Sequence, residues 1–332
     1  MAKITFWAGD GCMSSGITGL IDTFSIANLW HQSINQDTSK ELFQMETVTT
    51  SGKPITARGG ILIQADKSID EVKNTDLILI PPFMPHLAPF PDRKDRVMSW
   101  MIDCHKQKIP IGAMCTGSFV LAETGLLDGK IATTNWHFAK LFQKRYPKVR
   151  LKPEQIVTED HGLMCSGATL ATFNLGLHII KMFGSYDLAS ICAKALLIDP
   201  NRKSQASYAI FKSQTNHGDQ GIVKAQKWMD AHYAEDIAID EIANQVAISP
   251  RNFQRRFKKA TGESPLSYLQ QLRVEAAKNR LETTQDSINE ITWQVGYEDS
   301  STFRRLFKKY TGLSAREYRN KFSRFSSDVI AL

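Results

Sequence analysis

The chain has 332 residues, 42% hydrophobic and 23% charged, with a net charge of +7 and a pI near 9.1. At ~100–200 residues per domain this allows two domains, and the composition excludes a disordered, collagen-like or disulfide-scaffold chain. No stretch approaches the ~20 apolar residues of a membrane span, and the short apolar run Ile4–Ala8 falls below the ~7–15 of a secretory signal. Five cysteines (12, 104, 115, 165 and 192) form no C-x-x-C pair. They read as thiols of a reducing cytoplasm, with no metal site and no cofactor implied.

In chain order, Ile4–Ala8, Phe43–Val48, Leu77–Ile80 and Ile109–Met114 are short, turn-bounded apolar runs, the signature of buried parallel strands. Helical periods lie among them at Ile17–Leu29, Arg93–His105 and Ala168–Phe183. The alternation predicts a doubly wound α/β domain, of flavodoxin-like layout, over residues 1–200. Residues 201–221 are polar, with few apolar anchors, and read as a linker. From Ile222 to about residue 324 apolar spacings of three and four predict an all-α domain. Net charge is +3 up to residue 221 and +4 over the 111 residues beyond it.

The second half holds an internal duplication. Ile239-Asp-Glu-Ile242-Ala-Asn-Gln-Val246, Phe253, Phe257-Lys-Lys, Thr261-Gly262, Ser264 and Tyr268 recur as Ile288-Asn-Glu-Ile291-Thr-Trp-Gln-Val295, Phe303, Phe307-Lys-Lys, Thr311-Gly312, Ser314 and Tyr318. Each copy has helix–turn–helix anatomy, at about 239–260 and 288–310. In the first, Ser249 and Pro250 suit an N-cap and the first helical position. In the second, Ser287 and Glu290 have capping-box spacing. The second helix of each copy anchors on its Phe pair. Its other face carries Arg251, Gln254, Arg255 and Lys258 in one copy, and Ser300, Ser301, Arg304, Arg305 and Lys308 in the other. Arg and Gln pair bidentately with guanine and adenine edges. The two lysines suit phosphate contact or helix-dipole compensation.

This block resembles the AraC/XylS family of transcription regulators over about residues 222–322, most specifically in Val295-Gly-Tyr-Glu-Asp-Ser-Ser-Thr-Phe-Arg-Arg-Leu-Phe-Lys-Lys309. Thr292 and Ala315 stand where that family usually has Ala and Pro. The resemblance implies a long helix at Pro265–Leu281 joining two units that enter successive major grooves of double-stranded DNA. It further implies RNA polymerase as a partner, a homodimer and, most often, activation.

In the first half, Ile109-Pro-Ile-Gly-Ala-Met-Cys115-Thr-Gly117-Ser-Phe is a strand, a run of small residues and a helix start. That pattern is close to a nucleophile elbow, and a cysteine at a helix N-terminus is a candidate nucleophile. Together with Leu121–Gly129, Ala132-Thr-Thr-Asn-Trp136 and Ser166-Gly-Ala168, it resembles class I glutamine amidotransferase-like and PfpI-like domains, especially those fused to AraC-type regulators.

PfpI-like enzymes place His after the cysteine, where this chain has Thr116. The fused regulators commonly carry His where this chain has Asn135, and no acid lies between Gly11 and Ile21. The reading is a non-enzyme. Cys115, Thr116, Gly117, Asn135 and Trp136 would hold a small effector, with amino acids or amines implied by the related regulators. The elbow surviving as fold geometry alone stays open. So does a thiol-dependent hydrolase or amidase using Cys115, with His137 or His161 approaching it. Trp7, Phe83 and Trp136 would form a wall for a cationic effector or belong to the core.

Overall fold

Leu77–Ile80 is four apolar residues long and fully buried, too short for a helix and covered on both faces, so it takes the centre of a parallel sheet. The computed structural model describes residues 1–84 and 94–325. The chain divides into two compact units, Met1–Gln205 and a second starting at Ala206. Among the described residues no helix is long and apolar enough to cross a membrane.

The first unit runs β1 (Ala2–Trp7), α1 (Ser14–Asn35), β2 (Phe43–Thr49), β3 (Ile55–Thr56), β4 (Leu62–Ile63), β5 (Lys67–Ser68), β6 (Leu77–Ile80), α2 (Lys94–Lys106), β7 (Ile111–Ala113) and α3 (Gly117–Glu123). It continues with β8 (Ile131–Ala132), α4 (Ala139–Arg145), β9 (Arg150–Leu151), β10 (Val157–Asp160), β11 (Leu163–Ser166), α5 (Ala171–Phe183) and α6 (Tyr186–Ala195). Seven strands form one sheet in the order β10-β11-β7-β6-β1-β2-β5. All neighbours are parallel except the edge pair β10–β11. The order reverses at β1, which has β2 on one side and β6 on the other. This is the flavodoxin-like doubly wound layout, and ligands of such sheets bind beyond the carboxyl ends of the strands at the reversal. In the core, Phe24 of α1 packs on Phe6 of β1 and Phe43 of β2, with ring centroids 6.4 and 4.8 Å away.

The four strands read from the sequence are present, with Ile109–Met114 trimmed to Ile111–Ala113. Helix α1 extends beyond Ile17–Leu29 at both ends, and Arg93 lies outside the described residues. The β10–β11 hairpin is an addition. Three of the four residues of its outer strand, Val157-Thr-Glu-Asp, are polar, in keeping with its place at the sheet edge.

The second unit is helical: α7 (Gln220–His232), α8 (Ile239–Gln245), α9 (Pro250–Thr261), α10 (Pro265–Thr283), α11 (Ile288–Gln294), α12 (Ser300–Thr311) and α13 (Ala315–Phe322). Two apolar clusters carry it. One gathers Ile242, Phe253, Phe257 and Tyr268, the other Ile291, Phe303, Phe307 and Tyr318. Helix α10 contributes to both, which is why it is long.

The polar stretch 201–221 is packed rather than solvated at several points. Gln205 and Ser207 are buried. Tyr208 stacks edge-on against Phe322 at 5.3 Å, and Phe211 against Tyr268 at 5.2 Å. The Ala209 carbonyl accepts from Lys278. Its last two residues already belong to α7.

Candidate nucleic-acid interface and elbow site

The duplicated sequence folds into duplicated geometry. Phe253–Phe257 and Phe303–Phe307 are each 5.5 Å apart between centroids, all fully buried. Phe257 meets Tyr268 at 5.3 Å, and Phe307 meets Tyr318 at 5.5 Å. The Thr261 and Thr311 hydroxyls donate to the Phe257 and Phe307 carbonyls, both at 2.8 Å. Helices α9 and α12 both end on a glycine in the left-handed region, Gly262 and Gly312, as αL caps do. The Ser287–Glu290 capping box forms, at 2.6 and 3.1 Å. Thr292 is buried, and its hydroxyl donates to Ile288 O at 2.7 Å, so the residue that replaces the usual Ala leaves no polar atom stranded. Ala315 takes the first position of α13 behind the Ser314 cap, as expected for a substitute for Pro.

With the phenylalanines inward, the opposite faces are open. Arg251, Gln254, Arg255, Lys258, Ser301, Arg304, Arg305 and Lys308 are exposed, and Ser300 is half-buried. Arg255 Nη2 donates to Asn252 Oδ1 at 2.8 Å. Asn252, absent from the sequence-based set, therefore orients one of its arginines. Arg256 departs from the others: it is half-buried and forks onto Asp219 of the α7 N-cap, at 3.0 and 2.6 Å. That hydrogen-bonded pairing holds the Asp219 carboxyl below its usual range. Helix α12 is capped by Asp299, which accepts from Ser301 N and Thr302 N at 3.0 and 2.8 Å. Those bonds and the two hydroxyls beside them hold its carboxyl far below the ordinary value.

In the first unit, Cys115 follows β7 with φ of +53°, a strained value for a non-glycine residue. Gly117 permits the approach of α3, since a Cβ there would lie 2.6 Å from Pro81 O and 2.7 Å from Ile80 O. The turn is held by Cys115 N donating to Ser166 Oγ at 3.3 Å and by Ser118 Oγ donating to Cys115 O at 2.9 Å. Thr134 Oγ1 also donates to Cys115 O, at 3.3 Å. Cys115 is 3% exposed, and Asn135 Nδ2 reaches its sulfur at 3.6 Å.

Two of the backbone N–H groups at the elbow are used internally. Gly117 N donates to Met114 O at 2.7 Å and Ser118 N to Cys115 O at 3.4 Å. Thr116 is buried, and its hydroxyl bonds Phe83. Phe83 lies against Trp7 at 5.5 Å, both are buried, and Trp7 Nε1 finds no acceptor among the described residues. Trp136 is half-buried beside His137, at 5.6 Å, so it pairs with a different ring from Trp7 and Phe83.

Burial pushes the Cys115 thiol up from its ordinary value, against the weaker opposing effect of Asn135 and Thr116. The other four thiols are raised too, to about 11 for Cys12, Cys104 and Cys192 and about 12 for Cys165. A raised thiol is a poor nucleophile. His137 and His161 are exposed, and His161 pairs with Asp160. Neither is hydrogen-bonded to Cys115 among the described residues.

Gln205 is the residue that sequence reading missed. It lies inside the stretch taken for a linker, yet is 2% exposed. Its Nε2 donates to Thr134 O and Pro153 O, both at 2.8 Å, and its Oε1 accepts from Ala168 N at 3.1 Å. These partners lie 37 to 71 residues away, so no local pattern marks it.

Residues 2–182 match the DJ-1/PfpI family, and residues 242–321 match a helix-turn-helix domain. The HTH-type transcriptional regulator CdhR of Pseudomonas aeruginosa is 24% identical over 296 residues, 88% of this chain and 84% of that protein. The HTH-type transcriptional regulator GbdR of the same species is 25% identical over 306 residues, covering 90% and 82%. An AraC family transcriptional regulator from Pseudomonas putida shares the fold with 59% of this chain and all of its own, at a TM-score of 0.50 and 19% identity. These relatives are regulators, in agreement with a buried, protonated cysteine. The chain belongs to the DJ-1/PfpI family and carries an AraC-type helix-turn-helix domain, the composition of a DNA-binding transcription regulator.

Proposed function

We propose that the protein is a homodimeric activator of the reducing cytoplasm. Its first unit binds a small amino acid or amine, and its second unit reads promoter DNA and engages RNA polymerase. The observation that carries this is the pair of matched, exposed basic faces on α9 and α12. Arg251, Gln254 and Arg255 contact base edges in one major groove, and Ser300, Ser301, Arg304 and Arg305 in the next, ~34 Å along the duplex. Lys258 and Lys308 take phosphates.

The effector sits at the carboxyl end of the sheet beside Cys115, Thr116, Gly117, Asn135 and Trp136. Support comes from the position of Cys115 beyond the carboxyl end of β7 in a parallel sheet and from the Trp7 indole N–H at the end of β1, buried without an acceptor among the described residues. Binding shifts a population. An effector that moves Asn135 moves Thr134, and Thr134 holds Gln205, the last residue of the first unit.

The test is selection of bound duplexes from a random DNA library. Wild type selects a bipartite motif, and Arg255→Ala and Arg305→Ala each relax one half of it. Selection of no motif by the wild type would overturn the reading.

A further inference from the structure

We propose that a groove between α5, α6 and residues 200–203 of the first unit binds a small organic anion. Its volume is about 470 Å³, within the ~300–1,000 Å³ of ligand sites. Three cationic side chains line it, Lys181 from α5 and Arg202 and Lys203 from the segment after α6, with His178 of α5 beside them. Among the described residues no Asp or Glu lines it.

Two acids lie near the groove, and one of them is already paired with His178. Glu159 accepts from His178 at 2.7 Å, and Asp199 Oδ1 accepts from Asn201 N at 2.8 Å. Lys181 and Lys203 have no ion-pair partner among the described residues, and Lys181 lies 5.7 Å from the Tyr186 ring. Cations gathered around one concavity repel one another, and an anion placed among them is attracted by all of them. The floor is apolar, with Ile156, Leu177 and Ala189 buried beneath, which suits an anionic head on a short apolar body. Asn174 and Ser190 add neutral hydrogen-bonding groups.

The groove shares no residue with the elbow site and stands or falls separately from it. Its location gives binding a consequence. Arg202 and Lys203 directly precede Ser204, which forms a β-bridge with Gln155, and Gln155 itself lines the groove. An anion held jointly by Lys181 and by Arg202 and Lys203 fastens the start of the connector to α5.

The experiment uses the full chain carrying Arg255→Ala and Arg305→Ala, which lowers anion binding by the DNA-reading faces, so the groove's share is read from the further groove substitutions. Citrate and inorganic phosphate are titrated by calorimetry and thermal shift against sodium chloride at equal ionic strength. A saturable signal is expected, with hydrogen exchange of residues 200–203 slowed. Adding Lys181→Gln and Arg202→Gln weakens it at least tenfold, whereas Cys115→Ala leaves it intact. The exposed Lys203→Gln, alone, weakens it even if the double variant fails to fold. Preference for citrate marks a carboxylate ligand, and preference for phosphate a phosphoester. A signal no larger than that of chloride, or one unchanged in both the double variant and Lys203→Gln, overturns the proposal.

Discussion

The Gln205 side-chain amide donates to the Thr134 carbonyl at 2.8 Å, one residue before the asparagine whose amide reaches the Cys115 sulfur. The last residue of the first unit is thereby bolted to the segment after β8, whose Thr134 hydroxyl donates to Cys115 O. Gln205→Leu keeps the size and removes every polar contact, leaving two carbonyls and one N–H without their partner. At ~1–3 kcal/mol for a buried unsatisfied group, the first unit should lose about 3 kcal/mol in urea unfolding. Reporter activation should become insensitive to the inducing condition. A loss under ~0.5 kcal/mol with the response intact would show that the bolt is ornamental.

Cys115 should behave as a thiol kept protonated by burial. Its alkylation rate, followed by mass spectrometry, is expected to keep climbing past pH 9 rather than level off near neutrality. Cys115→Ala should leave DNA affinity without effector unchanged. A plateau below pH 7.5 would mean an activated thiolate and would reopen hydrolytic chemistry.

The arginines divide into two groups that binding measurements can separate. Arg255→Ala or Arg305→Ala should cost ~1–3 kcal/mol on the selected duplex and relax base preference. Arg256→Ala should leave base preference untouched, because that side chain is spent on Asp219. Lys258→Ala should lower the salt dependence by ~0.9 log unit per log unit of salt if it meets a phosphate. Relaxed preference in the Arg256 variant would place that residue at the bases instead.

What the sequence made legible was local. Caps such as Ser287–Glu290, the Phe253–Phe257 spacing and the Leu77–Ile80 run each declare their structure within a few residues. The open faces of α9 and α12 followed from the inward phenylalanines. What stayed hidden depends on contacts far along the chain. Gln205 looks like a linker residue because its partners lie at Thr134, Pro153 and Ala168. The internal use of the Gly117 and Ser118 N–H groups depends on how tightly the turn at Cys115 closes. Arg256 counts as one more cation until Asp219, 37 residues upstream, is placed beside it.

Glu46 predicts an acid dependence for the first unit. Burial alone would raise its pKa, but hydrogen bonds and charge from Lys67 and Lys3, with Thr5, hold it below the ordinary value. The ammonium groups lie at 2.6 and 3.0 Å. A carboxyl with a depressed folded pKa binds fewer protons folded than unfolded, so it favours folding above its unfolded value and loses that effect as pH falls through its folded value. Stability should therefore drop below about pH 4.5, the unperturbed value. Glu46→Gln should cost ~1–2 kcal/mol at neutral pH and flatten the drop. Parallel pH profiles for the two proteins would exclude Glu46 as its source.

The two copies of the helix–turn–helix solve one turn with different residues, which gives opposite predictions for opposite substitutions. Ala247 and Gly296 occupy equivalent positions, with φ of +53° and +84°, and each is followed by the same return bond: Ile248 N to Ala243 O at 3.0 Å, and Tyr297 N to Thr292 O at 3.1 Å. A non-glycine residue in this region carries ~1–2 kcal/mol of strain. Ala247→Gly relieves it but loosens the unfolded chain by ~0.4–1 kcal/mol, for a net gain of about 0.5–1 kcal/mol. Gly296→Ala acquires the strain and also collides, since its Cβ would lie 2.7 Å from the Ala234 carbonyl oxygen, backbone that cannot swing aside as a side chain does. The loss there should be ~2 kcal/mol or more. Chemical denaturation of both variants decides the matter: equal effects of one sign would mean that the two turns are not held in the same left-handed conformation.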